Sequence, residues 1–263
     1  MHTMEEKLKA FERLLVIMDE LREQCPWDQK QTLESLRHLT IEETYELGDA
    51  ILDGDLQEIK KETGDLLLHM VFYARIASET ENERGGWDIA DSLHSICDKL
   101  VSRHPHIYGD VVANDEETVK ANWEQLKLKE GNKSVLEGVP KSLPSLVKAY
   151  RIQDKVRGVG FDWENAGQVW AKVEEEIQEF KEEEMAGSDR ATDEFGDVLF
   201  SLINYARFKG INPDEALERT NRRFKARFQH MEKEMLKEGR SMMDMKLKEM
   251  NAYWDAAKEA LGQ

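Results

Sequence analysis

Glu175-Glu176-Ile177-Gln178-Glu179, followed downstream by Glu194-Phe195-Gly196-Asp197, decides how this chain folds. On a helix advancing about 100° per residue, Glu175, Glu176 and Glu179 share one arc, and Val173, Ile177 and Phe180 form an apolar arc beside it. Glu194 and Asp197, at i and i+3, share a face of the following helix, whose Phe195, Val198, Leu199 and Leu202 supply an apolar stripe. If the two helices pack antiparallel, their carboxylates converge.

The same pattern occurs earlier in the chain. Glu42-Glu43-Thr44-Tyr45-Glu46 and Glu62-Thr63-Gly64-Asp65 stand 133 and 132 residues before their counterparts. Tyr73-Ala74-Arg75 then follows at the same interval as Tyr205-Ala206-Arg207. Such agreement over a long offset indicates duplication of a whole domain, not a short-period solenoid. Helical patterning is interrupted most clearly between Glu130 and Ser145, by Gly131, Gly138, Pro140 and Pro144. The expected organisation is therefore a first domain over 1–131, a linker over 132–144 and a second domain over 145–263.

Within each half the local signals predict a helical hairpin. Asp53-Gly54-Asp55 makes the first turn, with Asp55 as N-cap and Glu58 in capping-box position. In the second half a helix is expected from near Asp189 to Gly210, a natural C′ residue, before an Asn212-Pro213 start to the next. A charged fraction of 35%, only five Pro and little alternation of β-branched residues predict an all-α protein.

A formal net charge of -17 argues against nucleic acid as the main partner, because phosphate-backbone binding needs a basic footprint. A small anion remains compatible if a cation or a local basic cluster draws it in. The two cysteines, Cys25 and Cys97, and the absence of an export signal make the cytoplasm the expected location. The best apolar run, Leu66 to Ala74, contains His69 and is too short to span a membrane.

Converging ionised carboxylates beside a core persist only if protons or cations compensate them. An all-oxygen donor set without Cys or His favours Mg2+ or Mn2+ over Zn2+, and such ions commonly bind through carboxylates and substrate phosphates together. A lone E-E-x-x-E is more often a solvated helix face, but its repetition with the same downstream E-x-x-D points to a site. Glu182-Glu183-Glu184 has no such partner and reads as solvated surface. Basic residues suited to phosphates are Arg223 and Arg227, one turn apart, with Lys99 and Arg103 as first-half counterparts. Each half also carries a late Trp, Trp123 and Trp254, able to stack on a base or to pack in the core.

These motifs, with Cys25-Pro26-Trp27-Asp28, Gln31-Thr32, Arg103-His104-Pro105-His106 and Val159-Gly160-Phe161-Asp162-Trp163, resemble the MazG family of nucleoside triphosphate pyrophosphohydrolases over nearly the whole chain. The resemblance implies tandem MazG-like helical-bundle domains, a homodimer in which two subunits complete the bundle, and hydrolysis of NTPs and dNTPs to the monophosphate and pyrophosphate. It makes Glu176, Glu179, Glu194 and Asp197 the metal ligands, with Lys172, Glu175, Arg223, Arg227 and Trp254 lining the nucleotide site. The first-half ligands are Glu43, Glu46, Glu62 and Asp65, surrounded by Glu42, Lys99, Arg103 and Trp123. Lys172 fits independently, since it lies within the carboxylate arc of its helix. The halves differ: Leu39 stands at the position of Lys172, and Lys99 at that of Arg223. The second half is therefore expected to be the principal catalyst, with magnesium activating a water for attack at the α-phosphate and Glu175 as general base.

Two rival readings are a carboxylate-bridged di-iron bundle and a nucleotide-binding regulator without turnover. The first needs E-x-x-H pairs. The sequence offers only Asp91 three residues before His94. The second keeps the fold but leaves a complete acid set without a chemical task.

Overall fold

The computed structural model describes residues 1–81, 84–109, 119 and 134–262. Among these, all regular structure is helical. The chain divides into two compact units, Met1–Ala113 and Asn114–Gln263. That division falls ahead of the linker expected at 132–144, and residues 134–144 belong with the second unit. Lys155 donates from Nζ to the Val135 carbonyl at 3.0 Å, holding this segment against the helix that follows it.

Unit 1 consists of α1 (Met4–Gln24), a short 3-10 turn (Asp28–Lys30), α2 (Leu33–Asp53), α3 (Leu56–Ala77), α4 (Ile89–Arg103) and α5 (Pro105–Tyr108). Thr3 and Glu6 form a reciprocal capping box that starts α1, and Thr32 caps α2. Helix α2 ends because Gly54 adopts a left-handed φ of 69°, which a side chain would resist. Asp55 then accepts from the Gln57 and Glu58 N–H groups and starts α3, while Glu58 sends its carboxylate to Lys61, 3.6 Å away. The turn folds α2 and α3 back on each other. Met18, Leu36, Val71 and Phe72 are the buried centre of the unit, packed by Phe11, Leu15, Leu39 and Leu68.

Unit 2 repeats the hairpin. It comprises α6 (Ser145–Arg157), α7 (Ala166–Ala186), α8 (Ala191–Phe208), α9 (Pro213–Lys237), a 3-10 turn (Met242–Asp244) and α10 (Leu247–Ala260). Among the described residues helices α7 and α8 make the most extensive pairing, with α6 also against α8 and α10 against α9. Gly187, at φ 63°, ends α7 as Gly54 ends α2. Helix α8 begins at Ala191, two residues later than Asp189, because the Ser188 hydroxyl accepts from the Arg190 N–H and the turn 188–190 precedes the helix. Its end matches expectation, with Gly210 at φ 68° and Asn212 capping α9 ahead of Pro213. A methionine cluster of Met231, Met235 and Met245 joins α9 to α10. No helix among the described residues is long and apolar enough to cross a membrane.

Candidate metal centres

The α2–α3 hairpin brings Glu43, Glu62 and Asp65 together so that one carboxylate oxygen from each lies within 4.8 Å of the others. The spacing follows from helix periodicity. Glu62 and Asp65 lie one turn apart on α3 and meet Glu43 on the facing turn of α2. Glu62 is 2% exposed, and its Oε2 is buried without a hydrogen-bond partner. A buried carboxylate oxygen with no donor to meet it, on a residue of an acid cluster, suits a cation-binding site better than a finished core.

The α7–α8 hairpin does the same with Glu176, Glu194 and Asp197, again with oxygens within 4.8 Å. Glu176 and Glu194 are buried and Asp197 is exposed. Two cations sit on these acids. Lys172 Nζ lies 2.7 Å from Glu175 and 2.8 Å from Glu176, and Arg190 reaches Glu194 at 2.8 Å. In unit 1 Lys61 contacts Glu62 at 2.8 Å.

The mutual repulsion of these acids shows in their proton affinities. Burial pushes the Glu43 carboxyl up, helped by its hydrogen bond to Glu62 and by the charges of Asp65, Glu46 and Glu62. Glu62 moves the other way because Lys61 donates to it, and Lys61 is itself pushed up to about 12, first by that hydrogen bond. Burial and then the Glu176 charge raise Glu179. Lys172 is raised by its bonds to Glu175 and Glu176. One acid holding a proton for its neighbour is the alternative to a cation in such a cluster.

Of the eight acids expected as ligands, Glu46 and Glu179 are exposed and lie outside the 4.8 Å groups. Both still act on the clusters, Glu46 through a hydrogen bond that lowers Glu62 and Glu179 through its repulsion by Glu176 and Glu194. Glu42 is exposed beside Glu43. Lys172 and Glu175 are joined to each other at the second cluster. Arg223 donates to the Thr220 hydroxyl at 2.9 Å, one turn back on α9. Arg227 lies over the Trp254 ring, 5.7 Å from its centroid, and its Nε is buried without an acceptor. Trp254 is packed further by Phe224 at 4.9 Å.

Among the described residues the cations seated on the second cluster are therefore Lys172 and Arg190, not Arg223 or Arg227. In unit 1, Lys99 is exposed on α4, and Arg103 is half-buried at that helix's end. Trp123 lies outside the described residues. Leu39, at the place of Lys172, packs into the unit 1 core. Asp91, the acid before His94, is spent on the capping box that starts α4.

Sequence reasoning passed over Lys61, Arg190 and His69. Arg190 stands at i−4 from Glu194, a spacing that could have flagged it. Its first-half counterpart is Glu58, of opposite charge. His69 is buried on α3, a turn beyond Asp65, with Nδ1 unpartnered, and burial lowers its proton affinity.

Fold and clusters together define an all-α protein with tandem helical-hairpin acid sites. The family model described as the MazG nucleotide pyrophosphohydrolase domain matches residues 31–108. A nucleoside triphosphate pyrophosphohydrolase of Escherichia coli is 40% identical over 261 residues, covering 95% of this chain and 98% of that protein. The nucleoside triphosphate pyrophosphohydrolase/pyrophosphatase MazG of Thermotoga maritima is 39% identical over 94% of this chain and 95% of its own length. A Bacillus subtilis protein, uncharacterised YabN, is 44% identical over 97% of this chain and 53% of its own. The chain belongs to the MazG family.

Proposed function

We propose that the chain hydrolyses nucleoside triphosphates to the monophosphate and pyrophosphate, with Mg2+, or Mn2+ in its place, at the two acid clusters. The observation that carries this reading is the twofold convergence of three acids within 4.8 Å, one of them a buried Glu62 oxygen with no partner. Glu176, Glu194 and Asp197 with Glu179 hold the ion in unit 2, and Glu43, Glu62 and Asp65 with Glu46 hold it in unit 1. Bound there, the ion supplies Lewis-acid polarisation of the α-phosphate and acidifies a water.

Glu175 is the residue that would accept the proton of the attacking water, and Lys172 at 2.7 Å orients its carboxylate. Lys172, Arg223 and Arg227 neutralise the triphosphate, with Lys99 and Arg103 in the corresponding role in unit 1. Trp254, its ring already engaged by Phe224 and Arg227, contributes by positioning the Arg227 guanidinium. Trp123 is assigned the matching position by the repeat alone. Unit 2 is the principal catalyst on this reading, because Lys172 has only Leu39 as its counterpart.

A homodimer completes the proposal. Phe195, Leu199 and Leu202 of α8 and Leu93, Ile96, Leu100 and Val101 of α4 are exposed apolar residues at helical spacing. Contiguous apolar faces of this kind mark association surfaces, and a second copy of the chain is the occupant the family resemblance implies. Light scattering that returns a monomer mass at micromolar concentration would remove the dimer.

The activity is tested by pyrophosphate release from several NTPs with Mg2+, for the native chain, Glu176→Ala, Glu43→Ala and the double variant. The double variant is expected to lose release, and undiminished release would sink the site assignment. Activity lost with Glu43→Ala but kept with Glu176→Ala would reverse the ranking of the two units.

A further inference from the structure

The two acid clusters are built alike but are not neutralised alike. In unit 2 each buried acid already has a cation of its own, Glu176 from Lys172 at 2.8 Å and Glu194 from Arg190 at 2.8 Å. Lys172 also bridges to Glu175 at 2.7 Å. Among the described residues, neither Glu176 nor Glu194 keeps a buried oxygen without a partner.

Unit 1 lacks both of these side chains, with Leu39 at the place of Lys172 and Glu58 at that of Arg190. Among the described residues the cation on its cluster is Lys61, which meets Glu62 Oε1 at 2.8 Å and is shared with Glu58 at 3.6 Å. The other Glu62 oxygen is buried with no partner. Glu43 meets acids there, hydrogen-bonded to Glu62 and lying in the field of Asp65, Glu46 and Glu62. Three clustered acids thus face one base in unit 1 and two bases in unit 2.

This difference bears on how each cluster meets a cation. In unit 1 a buried carboxylate oxygen is available with no existing bond to break, and the acids around it carry the larger uncompensated charge. In unit 2 the buried acids are already engaged in charge-assisted hydrogen bonds, and an added cation is repelled by two resident positive charges. Phosphate oxygens compete well for such partners, because Lys and Arg bind them as they bind carboxylates. Both side chains have room to move, being 34% and 70% exposed for Lys172 and Arg190.

We propose that Lys172 and Arg190 are internal counter-ions that keep the unit 2 acids closed to free metal until a triphosphate draws them away, whereas unit 1, without them, takes a divalent cation directly from solution. The inference rests on the hydrolase reading above and adds an order of binding to it. Unit 1 is then a nucleotide-independent cation site, and unit 2 receives its ion together with the nucleotide.

The test is equilibrium dialysis of the full chain against Mn2+, first without nucleotide and then with α,β-methylene-ATP, whose α–β linkage resists hydrolysis, at equal free concentration on both sides. Without nucleotide, the native protein is expected to retain Mn2+, and Glu62→Gln and Asp65→Asn to weaken that retention by about 10-fold or more. Glu194→Gln is expected to leave it unchanged. The nucleotide analogue adds a further increment, and Glu194→Gln removes it. The double variant Lys172→Met with Arg190→Met is expected to bind Mn2+ at unit 2 without nucleotide, about 10-fold more tightly than native unit 2 does. Amide and methionine substitutions keep the size of the side chains, and circular dichroism checks the helix content of each variant. If one unit 1 variant fails to fold, the other decides. Nucleotide-free retention that ignores both unit 1 variants, or falls equally with Glu194→Gln, overturns the proposal. A double variant that gains no nucleotide-free binding also overturns it.

Pyrophosphate release measured on the same proteins separates this inference from the hydrolase reading. Unequal metal retention by the two clusters without any NTP turnover keeps the counter-ions and removes the hydrolase. Turnover with equal nucleotide-free retention by the two clusters does the reverse.

Discussion

Replacing Glu43 by Gln is expected to stabilise the metal-free protein while weakening its response to Mg2+. Glu43 shares a 4.8 Å cluster with Glu62 and Asp65, and its carboxyl is pushed up by burial and by those neighbours. Two unit charges at 4.8 Å repel by about 3.5 kcal/mol at an effective dielectric near 20. Glu43 is half-buried, so solvent screening reduces the net relief to about 1 to 2 kcal/mol. The amide keeps the shape of the side chain and can still donate to Glu62.

For a unit of this size the gain corresponds to a rise of about 4 to 8 °C in the melting temperature at pH 8 in EDTA. In the native protein Mg2+ at ten times its dissociation constant adds about 1.4 kcal/mol. The variant, with one ligand fewer, receives less. Differential scanning calorimetry of both proteins, with EDTA and with Mg2+, reads all four values. A variant that melts no higher than native in EDTA, or that gains the full Mg2+ increment, refutes the view that Glu43 is a repelled acid in a cation site.

Asp162→Ala leaves Arg207, whose side chain is 5% exposed, without its carboxylate, and is expected to cost unit 2 about 3 kcal/mol because only Asn204 then meets the guanidinium. Urea unfolding measures it, and a shift in midpoint equivalent to less than about 0.5 kcal/mol would contradict a buried pair. Glu79, bonded to Arg22 at 2.7 Å and to Arg75 at 3.1 Å, links α1 to α3, and the Arg22 hydrogen bond holds its carboxyl below the usual range. A depressed acid contributes stability above its unfolded value, near 4.3, and loses it as pH falls through the lower folded value. Native protein should therefore exceed Glu79→Gln in melting temperature at pH 7, with the two converging in acid; curves that stay parallel across that range count against the link. Gly54→Ala, at φ 69° in open space, should cost about 1 kcal/mol from backbone strain alone, and an unchanged midpoint would mean that the α2–α3 turn is free to relax.

The helical hairpins were legible because their signals are local. Asp55 and Asn212 as caps, Gly54 and Gly210 as stops, and acids at i and i+3 are consequences of a 3.6-residue period that adjacent residues state in full. The duplication was legible for the same reason, since Glu43, Glu62 and Asp65 repeat as Glu176, Glu194 and Asp197 without any knowledge of packing. Helix pairing then decided what periodicity left open. It brought three acids of each set within 4.8 Å and left Glu46 and Glu179 at the margin. It gave Trp254 to Phe224 and Arg227, whereas Lys61 and Arg190 reach the clusters through local spacings. The Arg207–Asp162 pair and the Gln153 bond to Phe200 join residues 45 and 47 positions apart. No local period relates such positions, and only the docking of α6 and the Phe161 segment on α8 joins them.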